Sequence, residues 1–198
     1  LLWDVGSTKE QLCELIANHS KRDQFLAAHP IAGNEFSGPQ AAHRDLFNGK
    51  PQILCESNKT RPDLLTWAKR TFREMGMYLR FMEAAEHDKH MAYVSHLSHI
   101  SSFMLGKTVL EKEEDENNIF DLAGSGFEST VRLAKSSPEM WTPIFEQNKE
   151  NVIEILDAYI KNLEHFKKLL VNDDYKSLFQ EMKNTNQLTS ILNGINKK

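Results

Sequence analysis

The 198-residue sequence predicts two successive architectures, an α/β part over residues 1–82 and an all-helical part over residues 83–198. Three observations carry that division. In the first part short apolar runs alternate with helical periodicity, the pattern of strands joined by helices. Pro30, Pro39, Pro51 and Pro62 all lie there, and beyond residue 82 the only prolines are Pro138 and Pro143. In the second part apolar residues keep a helical period over long stretches.

The elements follow in order. Leu1–Val5 is a short apolar run that stops at Gly6-Ser7. A helix is predicted from Thr8 to His19, with Leu12, Leu15 and Ile16 on one face. Phe25–Ala28 reads as a second strand ending at His29-Pro30, and Gln52–Cys55 as a third. A helix from Pro62 to Met75 and a strand over Tyr78–Phe81 complete an open sheet, expected to be parallel. The helical part starts with a stretch over residues 84–110, about 40 Å long at a helical rise. Further helices are predicted over residues 127–136, 139–149, 149–171 and 173–193. The acidic run Glu111–Glu116 reads as a solvated connection between helices. In the helix over 149–171, Val152, Leu156, Tyr159, Leu163, Phe166 and Leu170 recur at alternating four- and three-residue spacing. A face this broad must be covered, by its own chain or by a second subunit.

Composition excludes several classes. Lys and Arg total 24 against 28 Asp and Glu, a formal net charge of −4, which argues against a nucleic-acid partner. No apolar run approaches the ~20 residues of a membrane-spanning helix. The two cysteines, Cys13 and Cys55, are too few for a disulfide scaffold and point to a reducing, cytoplasmic compartment. The chain opens Leu1-Leu2-Trp3 without Met, so it is expected to begin part-way through a longer protein.

Chemistry concentrates at four places. At 100° per residue Asp88, Ala92, Ser95, His99 and Ser102 share a sector about 80° wide. Met91, Val94, Leu97, Ile100, Met104 and Leu105 surround it, so the helix is expected to be buried. Its polar stripe is then either a hydrogen-bond network or a ligand-facing surface. His87, His90, His96 and His99 invite a zinc reading, but His90 and His99 point about 180° apart, so no metal is expected. At Gly6-Ser7-Thr8, backbone N–H groups and hydroxyls converge where a helix begins. His29 follows a strand, where a general acid/base would be useful, and a structural histidine is the other reading. Arg132 either grips a carboxylate or pairs at the surface.

Five blocks together resemble the prephenate dehydrogenase family. They are Asp4-Val5-Gly6-Ser7-Thr8-Lys9, His29-Pro30-Ile31-Ala32-Gly33-Asn34-Glu35, His87-Asp88, Ser95-His96-Leu97-Ser98-His99, and Gly126-Phe127 through Arg132 to Trp141. The resemblance implies a Rossmann-type nucleotide-binding domain followed by a helical domain that dimerises. It implies oxidative decarboxylation of prephenate to 4-hydroxyphenylpyruvate in tyrosine biosynthesis, with NAD, or NADP in its place, accepting the hydride. By the same resemblance His29 is the catalytic histidine, and Ser7 orients it and, with Gly6, touches the cofactor. Arg132 grips a substrate carboxylate, while His99, Ser95, His96, Asn34, Glu35 and Trp141 line the substrate pocket. Arogenate is the alternative substrate, and a non-catalytic dimerisation module the alternative from another class.

The sequence departs from the family's pattern in places. Asn34 stands where Thr is frequent, Ser98 where Pro is frequent, and Ser129 where many relatives have Asp. Ser98 in place of Pro predicts a straighter helix. The G-x-G-x-x-G dinucleotide fingerprint does not occur in the sequence, so weak cofactor binding is expected of these residues alone.

Overall fold

The computed structural model describes residues 1–33, 38–116 and 118–195. Its sheet runs β1 (Leu2–Trp3), β2 (Phe25–Pro30), β3 (Pro51–Cys55) and β4 (Tyr78–Met82), in that spatial order. β1 pairs with β2 and β3 with β4 in parallel, but β2 and β3 are antiparallel, with His29 opposite Ile53. The sheet is therefore mixed, where an all-parallel one was expected. Among the described residues the link from β2 to β3 holds only a single 3-10 turn, Pro39–Ala41. Without a crossover helix the chain doubles back, which sets antiparallel pairing.

Alternation along the strands produces two apolar faces. Leu26, Ala28 and Leu54 pack with Ala68 and Phe72 of α2 (Pro62–Glu74), while Ala27, Ile53 and Cys55 pack with Cys13 of α1 (Glu10–Ile16) and Ala84. Strand β1 is shorter than predicted, because Asp4 leaves the ladder. Its Oδ1 accepts the N–H of Ala28 at 2.8 Å, replacing the next backbone pairing with a carboxylate.

After β4 come α3 (Ala84–Met91), a π-helical turn (Ala92–His96) and α4 (Leu97–Glu116). The acidic run is thus helical and not a connection, since nothing in it breaks a helix. Glu113 accepts the N–H groups of Asn118, Ile119 and Phe120 at 2.7–3.2 Å and so holds the turn that follows. Nor is the stretch from Ala84 uniform or buried all round. The π turn interrupts it, and Val94, Met104 and Leu105 are exposed.

The predicted helix over 127–136 is α5 (Ser125–Val131) with a 3-10 turn, Arg132–Lys135. α6 (Pro138–Gln147) starts at Ser137, whose Oγ accepts from the N–H of Met140. α7 (Lys149–Val171) matches its prediction, whereas the last predicted helix is split into α8 (Tyr175–Thr185) and α9 (Leu188–Ile195). The chain forms two compact units, Leu1–Val152 and Ile153–Lys198. Everything described next lies in the first.

Candidate active site

His29 lies near the end of β2, beside the loop that leaves β1. Asp4 organises that loop: its Oδ2 accepts the N–H of Gly6 at 3.2 Å and pairs with Nζ of the wholly buried Lys9. A buried ammonium is tolerable only with such a counter-charge. α3 brings His87 and Asp88, both fully buried, against the same place. Nδ1 of His29 is 2.9 Å from Nε2 of His87, and Nδ1 of His87 is 2.6 Å from Oδ1 of Asp88. The Asp88 carboxylate also accepts the N–H groups of Lys9 (2.8 and 3.0 Å) and Glu10 (2.9 Å) at the start of α1. These two N–H groups at the helix start are therefore satisfied from within the protein.

Burial lowers the His29 imidazole to a pKa of about 3, helped by His87 and the charge of Lys9. His29 is therefore neutral at physiological pH. Among the described residues nothing bonds its Nε2.

A second layer is aromatic. The rings of His99 and Trp141 stack with centroids 3.6 Å apart, and His96 meets Trp141 edge-on at 5.7 Å. His96 is 1 % exposed and sits within hydrogen-bonding distance of Asn148, Nδ1 to Nδ2 3.1 Å, so it supports the layer from behind. Burial lowers its pKa to about 4. His99 donates from Nδ1 to the carbonyl of Ser95 at 3.0 Å; burial lowers its pKa, and the nearby charge of Arg132 adds to that. Ser95 thus contributes its main chain. Ser102 donates to the carbonyl of Thr130 and accepts from the N–H of Ala134, bracketing the turn that carries the exposed Arg132. On the polar stripe, Asp88, His99 and Ser102 thus each hydrogen-bond within the protein.

The fold brings His29, His96, His99 and Trp141 to one region, with Arg132 at its edge. Ser7 lines a cavity of about 500 Å³ with Gly6, Thr8, Ile144 and Gln147, and no described hydrogen bond joins it to His29, which is held by His87 instead. Asn34 and Glu35 lie outside the described residues. Lys9 and Asn148 carry no role in the sequence, and His87 stands there only as a rejected metal ligand and a block residue. Two of these stood inside the quoted blocks, but only folding shows that they are buried and paired.

A four-stranded mixed sheet flanked by helices and followed by a helical part defines an α/β class of fold joined to helices. Residues 1–80 match the family model described as prephenate dehydrogenase, nucleotide-binding domain, and residues 83–184 that described as prephenate dehydrogenase, dimerization domain. The chain belongs to the prephenate dehydrogenase family. It is 29% identical over 188 residues to the prephenate dehydrogenase of Bacillus subtilis, covering 92% of this chain and 50% of that one. A crystal structure of prephenate dehydrogenase from A. aeolicus, in complex with hydroxyphenyl propionate and NAD+, superposes with a TM-score of 0.86 at 34% identity, over 96% of this chain and 66% of that one. The arogenate dehydrogenase of Synechocystis gives 0.78 at 25% identity, over 97% and 69%. The chain thus spans about half the length of the Bacillus relative.

Proposed function

We propose that the protein is an NAD-linked dehydrogenase that oxidatively decarboxylates prephenate to 4-hydroxyphenylpyruvate in tyrosine biosynthesis. One observation carries this reading: a half-buried, neutral imidazole stands at a strand end with Nδ1 engaged and, among the described residues, no bond on Nε2. That nitrogen accepts the hydrogen bond of the substrate's ring hydroxyl. As hydride leaves the carbon bearing that hydroxyl, the hydroxyl proton passes to Nε2 of His29. The ring carboxylate departs as CO2, and its bonding electron pair completes the aromatic ring. The proton then returns to the oxygen, since the product is a phenol. Such a positioned base is worth ~10²–10⁴ in rate.

The cofactor, when bound, accepts the hydride. Support for its reacting end comes from the cavity of about 500 Å³ that Gly6 and Ser7 line; a Cβ on Gly6 would stand 3.3 Å from Oδ2 of Asp4, so glycine there serves the packing of the loop itself. Gly6 and Ser7 would hold that end, and Arg132 a substrate carboxylate, a task suited to its planar fork. His99 and Trp141 would form a wall of the substrate site, and Asn34 and Glu35 would line it.

The same reading includes a homodimer through the helical part, supported by the dimerization-domain match and by exposed apolar helix faces. It includes a reducing, cytoplasmic setting, supported by the free, buried thiols of Cys13 and Cys55. Among the described residues no helix is long and apolar enough to cross a membrane.

The deciding assay follows reduced-cofactor formation by the full-length protein with prephenate or arogenate and each of NAD+ and NADP+. Prephenate with NAD+ is expected to be the best pair. Faster turnover of arogenate would reassign the substrate, and no turnover of either would remove the enzymatic reading.

A further inference from the structure

With His87 a neutral imidazole, the hydrogen bonds around Asp88 fix the donor at each contact. Backbone N–H groups donate, so both Asp88 oxygens are acceptors for Lys9 and Glu10. Oδ1 lies 2.6 Å from Nδ1 of His87, so that nitrogen carries a proton and donates it. A neutral imidazole protonated on Nδ1 has a lone pair on Nε2. That lone pair lies 2.9 Å from Nδ1 of His29, which must therefore be the donor. The proton of His29 is then on Nδ1, and its Nε2 is bare. The order is anchored at its far end: the Asp88 carbonyl accepts from Nδ2 of Asn148 at 2.8 Å, so the residue is held by main chain and side chain together.

We propose that His87 and Asp88 are positioning residues for the reaction assigned above, holding His29 in the tautomer whose Nε2 can take the substrate's proton. The inference rests on that functional reading and adds two residues to it. His87 touches no reacting atom; it turns the acceptor character of a carboxylate into a fixed proton position one ring further on. Asp88 ties that choice to the start of α1, so the helix following the Gly6-Ser7 loop and the state of the base are set by one carboxylate. Hydrolases use a buried carboxylate in the same way, and its carboxamide replacement there costs about 10⁴ in kcat through the wrong tautomer.

Substitutions in the full-length protein test this. Asp88→Asn presents an amide N–H to Nδ1 of His87, which reverses both rings and puts a proton on Nε2 of His29. Its kcat is expected to fall ~10²–10⁴-fold with KM for prephenate within about threefold. His87→Gln keeps an acceptor for His29 and is expected to stay within about tenfold of wild-type kcat, whereas His87→Leu falls with Asp88→Asn. Asp88→Asn also disturbs the start of α1, so the wild-type protein provides an independent readout. Nitrogen NMR of histidine-labelled protein, with the His29 signals assigned by their loss in His29→Asn, should show Nδ1 protonated and Nε2 bare. In His87→Leu the His29 signals should move toward the other tautomer. A proton on Nε2 of His29 in the wild type, or wild-type kcat in His87→Leu, would overturn the proposal. The spectrum needs no substrate. If prephenate is not turned over at all, the functional reading fails while the proton order is still decided.

Discussion

The two compact units differ in what they bury, although large apolar side chains are exposed in both, Leu122 of the first at 89 %. In the first, polar groups are buried and matched: Lys9 faces Asp4, and His87 and Asp88, each 0 % exposed, pair with one another and with backbone. In the second, apolar groups are left on the surface, with Leu163 52 %, Phe179 62 % and Ile191 59 % exposed. Burying a charge without a partner is expensive, so the first unit carries its own partners. Exposing a large apolar face is a different cost, one met from outside, and such faces mark protein interfaces. The contrast separates a region whose chemistry is assembled internally from one whose surface calls for a second molecule.

The strongest way to break that contrast is at the base itself. His29→Asn is expected to reduce kcat ~10²–10⁴-fold while leaving the dimer intact by size-exclusion chromatography. Loss of the dimer together with activity would mean that the two regions are not separable.

Acid attacks the first region selectively. Above pH 6.5 His29 is neutral whether the chain is folded or unfolded; below it the unfolded chain takes up a proton that the folded one refuses until about pH 3. His96 behaves alike, with its folded value near 4. Stability should therefore fall as pH drops from about 6.5 toward 3, by a few kcal/mol in order of magnitude. Denaturant titrations across this range check it, and a flat profile would mean that these rings are not held neutral.

The second region is probed by charge. Leu163→Glu combined with Phe166→Glu should weaken the dimer about 100-fold by sedimentation, since central apolar positions dominate such interfaces. An unchanged dimer would move the interface off this face. The smallest effect belongs to a feature that neither contrast needs: Ser137→Ala removes the α6 cap and should cost about 1 kcal/mol, or ~2–4 °C in Tm.

Much of the fold was readable because its signals are local. Strand and helix positions follow periodicity and proline placement, and α7 came out at its predicted limits. The direction of β3 was not readable, since it depends on the path of the link from β2 and not on the strand's own residues. The π turn was equally hidden, because Ala92–His96 has the composition of ordinary helix. Within the site, His29 stood out by position and by the family blocks, and Trp141 by the blocks alone. The part His87 plays did not, because its burial against His29 depends on how α3 packs on the sheet.

By itself, then, the sequence determined the strand–helix alternation, the helical second part, the family and the identity of the candidate base. Each of these depends on residue type, local spacing or blocks taken in order. Only the tertiary structure decided what His29 bonds to. Its partner is 58 residues away, and the N–H groups of Lys9 and Glu10 lie 79 and 78 residues from the Asp88 carboxylate they meet. A proton's position depends on which donors and acceptors meet in space. Spacing along the chain carries no record of that until the sheet and the helix after it have packed.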